Sequence, residues 1–482
     1  MNPVWLIAIP LALAFVSAFW RSVSGWALLV AAFFNAFAGV FGVMFLTDTS
    51  FSIGGWKAPY GISLLVNDAT KLLLPVANIL FLFAVLSYLR KGNETTKYSV
   101  VFLVALASLN GVLLTNDLFN LFVFLEIAGI SAYLLASTGE GSGSKVASFK
   151  YLMIGSVGSL LYLLGIAILY GAAGTLNISE LAARVSSGQI SGDVTLVSSL
   201  LIVAGLGVES KLLPFNGWVP DVLTKSSRVA TLVLASVYPL AMVNAFSKVL
   251  LAVGDDRAMT LVILLGTATV LVGEVLAFSQ KSLRRTLAYS SIAQSGLAIF
   301  LVGIGSIEAI TGSIMLLINN ALSKFMLFSV DDQVIDELGR DDRNTLNGYG
   351  RKSPIVGVTF VVSALSIAGM PLFFGFRGKL NAISASFEAS IAVPVIILIA
   401  AAIEVTYYFS WIFSFFKPVG TAQTPEKRMV PSVEFVAFGL VLSTVIVFLG
   451  VSSGEAFTMF ERAADSLVNG VLAIGKAILG GM

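Results

Sequence analysis

The chain has 482 residues, of which 57% are hydrophobic and only 12% charged, and its mean hydropathy is +0.93; soluble domains carry roughly 25% charged residues. The composition excludes a large soluble domain, the net charge of +2 leaves no nucleic-acid footprint, and the absence of Cys and His excludes ligation of haem, an iron–sulfur cluster or a typical zinc site by this chain. What remains is an all-α polytopic membrane protein that sits in a lipid bilayer and has no cofactor of its own; any redox chemistry belongs to a partner.

A helix needs about 20 mostly apolar residues to cross the hydrocarbon core. Apolar runs between polar joints predict fourteen transmembrane helices, near 3–20, 25–46, 71–90, 98–115, 117–137, 150–171, 195–223, 229–252, 258–279, 284–304, 306–330, 354–388, 391–416 and 431–452. The first run follows no basic segment and leads at once into a second, so it reads as a retained helix, not a cleaved signal. The tail, 454–479, reads as an outward-facing amphipathic or partly embedded helix, packed at the rim or against a neighbour. The lack of Cys and His, with few Gln, suits a prokaryotic thermophile as well as it suits drift.

Orientation follows from the joints. Alternate joints hold Arg21; Arg90, Lys91 and Lys97; Lys145 and Lys150; Lys225 and Arg228; Lys281, Arg284 and Arg285; Arg340, Arg343, Arg351 and Lys352; and Lys417, Lys427 and Arg428. The other set holds only Lys57, Lys71, Arg184, Arg257, Arg462 and Lys476. The richer set faces the cytoplasm, which puts both termini outside a cell membrane. Five cations, Lys211, Lys248, Lys324, Arg377 and Lys379, fall inside spans.

Two spans are long and interrupted: the seventh around Pro214 and Pro220, and the twelfth around Gly369, Pro371 and Gly375. They lie five spans apart and cross in opposite directions, as a tandem five-helix unit with an inverted second copy requires. The expected division is 1–97 for helices 1–3, 98–252 for the first repeat, 258–416 for the second, and 431–482 for helix 14 and the tail.

An ionisable residue at mid-bilayer costs at least ~2.5 to 3.5 kcal/mol on insertion scales, which makes each a functional candidate. Glu126 follows Asp117 by nine residues, roughly 13 Å along a helix and hence near the middle. Lys211 precedes the first break, Lys324 shares a helix with Asn319, Asn320 and Ser323, and Lys379 follows the second break. Glu209, in GVESKLLPF, and Glu404, in AAIEVTYYF, are secondary candidates, and Ser290, Ser291 and Gln294 in AYSSIAQSG are suitable polar lining. The bland alternatives are buried pairs that hold helices together, snorkelling for Lys248, and cytoplasmic pairing for Glu274 with Lys281 nearby. Burial disfavours the charged form of carboxylate and ammonium alike, and each restores the other's charge. Separating such a pair releases or takes up a proton.

The stretches GGWKAPYGISLLVND (54–68), NDLFNLFVFLEIAGISAYLL (116–135), GVESKLLPFNGWVPD (207–221), QKSLRRTLAYSSIAQSG (280–296), NNALSKFMLF (319–328), LNGYGRKSP (346–354) and SIAGMPLFFGFRGK (366–379) occur in this order. In them the chain resembles the antiporter-like membrane subunits shared by respiratory complex I, membrane-bound hydrogenases with their sulfur-reducing relatives, and Mrp-type cation/proton antiporters, over about residues 55–415. The resemblance implies fourteen helices with two inverted five-helix repeats. It implies that Glu126 is the fifth-helix glutamate, Lys211 the broken-helix lysine that pairs with it, Lys324 the central lysine of helix eleven, and Lys379 the terminal lysine that exchanges protons with the outside. Where relatives often carry histidines, this chain has Asn216, Gln294 and Asn320, none of which carries a proton at ordinary pH. Lys248 stands later than the family's eighth-helix lysine. A lateral coupling helix, where one exists, is expected on another chain.

The expected function is proton translocation, with sodium exchange as a variant, as a subunit of a respiratory complex whose redox subunits carry iron–sulfur or metal centres in a separate arm. The alternatives are a redox-free Mrp-type Na+/H+ antiporter subunit, a stand-alone solute carrier and a non-pumping scaffold.

Overall fold

The computed structural model describes residues 2–44, 46, 49–56, 60–90, 96–418, 431–452 and 454–480. Lys57, Lys91, Lys427 and Arg428 of the orientation argument lie outside the described residues. Helices α1 (Trp5–Phe19) and α2 (Ser24–Phe37, prolonged by a π-helical turn, Ala38–Val43) precede a hairpin of β1 (Thr49–Ser52) and β2 (Ser63–Val66), antiparallel with Thr49 opposite Val66. Then come α3 (Asp68–Arg90), α4 (Thr96–Leu114), α5 (Leu118–Ala136), α6 (Gly141–Ala173), the short α7 (Ile178–Ser186), α8 (Gly192–Glu209), α9 (Val219–Lys225) and α10 (Arg228–Val253). The second half holds α11 (Asp256–Phe278), α12 (Leu283–Ile304), α13 (Ile307–Leu338), α14 (Tyr349–Lys352), α15 (Pro354–Ala368), α16 (Phe374–Ala389) and α17 (Ala392–Phe416). α18 (Val433–Val451), α19 (Glu455–Asp465) and α20 (Val471–Gly480) complete it.

Small polar residues start several of these helices, and glycines end several. The side chains of Asp117, Ser227, Ser282 and Ser306 accept from the amide three residues on, which satisfies a donor that helix geometry leaves free. Gly174, Gly305 and Gly339 take the left-handed conformation just past α6, α12 and α13.

Thirteen helical segments among the described residues are long and apolar enough to cross a membrane. Twelve coincide with expected spans. The first expected span is a 15-residue helix, short of that length, and the twelfth splits into α15 and α16, of 15 and 16 residues. The thirteenth is the tail, Phe457–Gly480. Its Ser466 hydroxyl accepts from the Ala69 amide at the start of α3 (3.2 Å), and Gly475 lies against the backbone of Ser179 on α7.

The core is formed by α10, α12 and α13, which are buried along almost their whole length; α6, α17 and α18 are largely exposed and present Leu, Val and Phe outward, as lipid contact requires. α11 and α12 meet along a glycine seam. A Cβ on Gly266 would come within 2.7 Å of the Phe300 backbone, and one on Gly273 within 2.8 Å of the Ala293 amide nitrogen. Small residues let two backbones approach this closely, and helices in lipid associate largely through such packing.

Candidate functional site

Both breaks expected from Pro and Gly are present. α8 ends at Glu209, and the chain crosses a cis Leu213–Pro214 bond and a 3-10 turn, Phe215–Trp218, before α9 resumes. α15 ends at Gly369 in the left-handed region. The two non-glycine residues with positive φ among the described residues are Lys211 (65°) and Leu372 (76°), one in each break. Such backbone is held only where its surroundings over-determine it. In the first break the Leu213 amide donates to Thr269 Oγ1 on α11 (3.0 Å); in the second the Ser366 hydroxyl donates to Asn319 Oδ1 on α13 (2.5 Å). Gly375 has no room for a side chain: a Cβ there would lie 1.9 Å from the Ser366 carbonyl oxygen.

The breaks deliver two lysines to a line of buried polar groups centred on α12. Lys211 Nζ donates to Ser291 Oγ (2.8 Å). The adjacent Ser290 accepts from Lys324 Nζ (2.7 Å), which also donates to the Leu287 carbonyl (3.2 Å) and Tyr408 OH (3.1 Å), and Ser290 and Tyr408 lie 3.0 Å apart. One turn along both helices, Gln294 Nε2 donates to Glu404 Oε1 (2.7 Å), whose other oxygen forms an ion pair with Lys379. Next to it Tyr407 donates to Glu274 Oε2 (2.9 Å). Every side chain named in this line is buried. Serine and tyrosine hydroxyls both donate and accept, so each can receive a proton on one side and give one on the other.

Four of the sequence-derived residues, Lys211, Ser291, Ser290 and Lys324, therefore meet in one stretch, and Gln294, Glu404 and Lys379 meet in the next. Glu126 stands apart. It is half-buried on α5, within electrostatic reach of Glu209 and Tyr133, and makes no ion pair or side-chain hydrogen bond among the described residues. The pairing of Glu126 with Lys211 that the resemblance implies is not made among those residues: Lys211 has a left-handed backbone, and its ammonium donates to Ser291 on α12. Glu209 instead accepts from Tyr151 (2.8 Å), whose ring stacks on Trp218 at 3.6 Å. Asn216 is buried in the 3-10 turn, and Asn320 is buried on α13 with its Oδ1 unpartnered among the described residues.

Two side chains depart from the bland alternatives. Lys248 does not snorkel: it is 3% exposed and donates to the carbonyls of Leu113 (3.0 Å) and Thr115 (2.8 Å), at the negative end of α4. Glu274 turns to Tyr407, while Lys281 lies exposed on the surface.

Sequence reasoning missed Tyr407 and Tyr408, although three- and four-residue spacing from Glu404 puts all three on one face of α17. It also assigned Arg284 to a joint. Arg284 is buried in the first turn of α12, with Nη1 on Asp331 Oδ2 (3.1 Å) and Asp332 Oδ1 (2.9 Å), Nε on the Leu223 carbonyl (3.1 Å) and Nη2 on Thr231 Oγ1 (3.0 Å). It thus ties α9 and α10 to α12 and α13.

Comparison with known proteins follows the same outline. The chain is 33% identical over 367 residues to NADH-quinone oxidoreductase subunit N of Desulforudis audaxviator (74% of this chain, 73% of that one). It is 29% identical over 432 residues to an Na(+)/H(+) antiporter subunit of Bacillus subtilis (87% and 86%). Among solved structures, a chain of the membrane-bound sulfane sulfur reductase, an archaeal respiratory membrane complex, superposes with a TM-score of 0.90 at 29% identity over 98% of this chain and 99% of that one. A chain of the Mrp complex from Dietzia sp. DQ12-45-1b shares the fold, with a TM-score of 0.89 at 23% identity over 99% of each chain. Residues 115–404, which contain both breaks and the polar line apart from Tyr407 and Tyr408, match the transmembrane family described as NADH:quinone oxidoreductase/Mrp antiporter, and the chain belongs to that family of antiporter-like membrane subunits.

Proposed function

We propose that this chain translocates protons across a prokaryotic cell membrane as one subunit of a larger complex, with both termini outside, and that electron transfer in partner subunits drives it. The observation that carries the reading is the buried polar line from Lys211 through Ser291, Ser290, Lys324 and Tyr408 to Gln294, Glu404 and Lys379. An isolated charge in such surroundings is costly. A line of hydroxyls and an amide between three ammonium groups and a carboxylate has a ready use in moving charge.

In this reading Lys379 is the moving part. With its ammonium on Glu404, both groups keep their charges. When a movement at the second break draws Lys379 away, Glu404 is left with the Gln294 amide and Tyr407 and Tyr408 nearby, and takes a proton from the Lys324 side. The return of Lys379 expels that proton. Gln294 carries no proton itself; it holds the carboxylate in register. Lys211 refills the Lys324 site through the adjacent hydroxyls of Ser291 and Ser290. Glu126, Glu209, Tyr133 and Tyr151 form a second cluster in the first half, and Lys248 anchors α4. The halves 98–252 and 258–416 act as inverted repeats, a division supported by one break and one strained non-glycine residue in each. Moving one charge against 100 mV takes about 2.3 kcal/mol, a modest demand on an exergonic electron transfer.

A second reading, exchange of Na+ for H+ without redox chemistry, is favoured by the 29% identity to the Bacillus subtilis antiporter protein over most of both chains. The subunits that co-purify with this chain decide between the two: a hydrogenase-like or quinone-reductase-like partner supports the first.

The test is ion uptake by inverted vesicles containing the whole complex, with proton and sodium gradients followed separately in wild type, Glu404→Gln and Lys211→Ala. Loss of uptake in assembled complexes is expected. Wild-type uptake in both variants would refute the proposal.

A further inference from the structure

Between α11, α12, α16 and α17 lies a cavity of about 20 Å³ whose polar wall is Glu274, Gln294, Lys379 and Glu404, the remainder being aliphatic. A space of roughly 10–15 Å³ holds one water, provided that it finds polar partners. The partners are present. Gln294 Oε1 is buried and meets no donor among the described residues, while its Nε2 is committed to Glu404. An amide oxygen requires a donor, and an ionised carboxylate offers none. Water supplies two donors from one atom, one for Gln294 Oε1 and one for a carboxylate.

The charges point the same way. Two carboxylates and one ammonium face this cavity, and Lys379 is already paired with Glu404. Glu274 receives one hydrogen bond from Tyr407 and has no ion pair among the described residues, although Lys379 from α16, Lys324 from α13 and Glu404 from α17 are in electrostatic reach. Tyr408 stands on the Lys324 side of the same face. A buried unpaired carboxylate is stabilised by binding a proton.

We propose that this cavity is a single-water site and that Glu274 is a further proton-binding residue, exchanging its proton with Glu404 through that water. The inference rests on the reading of the polar line as a proton path and adds a side branch to it. In the transfer, Glu404 gives its proton to the water oxygen as the water gives one of its own to Glu274. An O–H bond is broken at Glu404 and one is formed at Glu274, the water is regenerated, and no electrons change hands. Glu274 then stores one proton beside the Lys379 switch while the Glu404–Lys379 pair re-forms.

The experiment is infrared difference spectroscopy of the whole complex, isolated through a tag on this chain, on a pH jump in H2O and in D2O. A protonated-carboxyl band that shifts in D2O is expected in wild type, absent in Glu274→Gln, moved in frequency in Glu274→Asp and perturbed in Gln294→Leu. An unchanged band in Glu274→Gln overturns the inference; should that variant fail to assemble, an unmoved band in Glu274→Asp does so. Lys324→Met separates the two claims. If it loses ion uptake while Glu274→Gln keeps both the band and the uptake, the side branch fails and the path stands. If it transports like wild type, the path itself fails.

Discussion

Replacing Arg284 by Met should destabilise the protein by about 3–5 kcal/mol, whereas the same change at its neighbour Arg285 should cost under ~0.5 kcal/mol. The two differ only in surroundings. The Arg284 side chain is 8% exposed and makes four hydrogen bonds at 2.9–3.1 Å, two of them to carboxylates that are themselves 0% and 10% exposed. Met fills most of its volume but leaves Asp331 and Asp332 without this cation and the Leu223 carbonyl and Thr231 without this donor. Arg285 is exposed and donates to Gln280. The assay is thermal unfolding of the purified complex followed by tryptophan fluorescence, in wild type, Arg284→Met and Arg285→Met. Adding Asp331→Asn to Arg284→Met should recover part of the loss, because it removes an uncompensated buried charge. Equal melting temperatures for the two single variants would refute the argument.

Three further outcomes follow from particular contacts. Gly375→Ala drives a methyl group into the Ser366 carbonyl and Asn319; overpacking of this kind costs about 1–3 kcal/mol or more, so the variant should melt lower and lose ion uptake, and normal uptake would contradict the tight second break. Lys248→Met leaves the carbonyls of Leu113 and Thr115 without these donors, and a loss of about 1–3 kcal/mol should appear in the same melting assay; unchanged stability would contradict the anchoring role. In the 339–348 loop, the Thr345 hydroxyl and amide hold the Asp342 carboxyl below its ordinary value of 3.8. Because the folded value is the lower one, that support is complete above pH 3.8 and is lost as pH falls through the folded value. Proteolysis of the loop should thus accelerate only in acid below that range, while Asp342→Asn should be cleaved faster already at neutral pH.

Much of the site was legible because lipid makes charge conspicuous. Lys211, Lys324, Lys379 and Glu404 each interrupt an apolar run, and Pro and Gly announce both breaks. What the sequence could not reveal was direction. Lys211 and Glu126 are both buried-span charges, and nothing in their spacing shows that a left-handed residue at 211 turns the ammonium to Ser291. Tyr407 and Tyr408 were hidden for the opposite reason, since an aromatic ring in an apolar run reads equally well as lipid contact. Lys248 read as a snorkelling stem because its place near a helix end is visible in sequence, while the α4 carbonyls that receive it are 133 and 135 residues away. Arg284 reads as a joint residue in the sequence because it adjoins the exposed Arg285; only packing separates them. The hairpin of β1 and β2 is hidden because β1 alternates over only four residues and β2 is buried on both faces, and the tail qualifies as a long apolar helix only once its three pieces are joined.

The most direct test is redox-driven proton uptake by inverted vesicles carrying the whole complex with Lys324→Met, measured beside a Thr444→Ala control, exposed on α18. Lys324 is 0% exposed and joins the Lys211 stretch of the polar line to the Glu404 stretch through Ser290 and Tyr408. The assembled variant complex should retain electron transfer but no longer take up protons, while the control matches wild type. Wild-type proton uptake by Lys324→Met would contradict the claim that the buried line carries the ion.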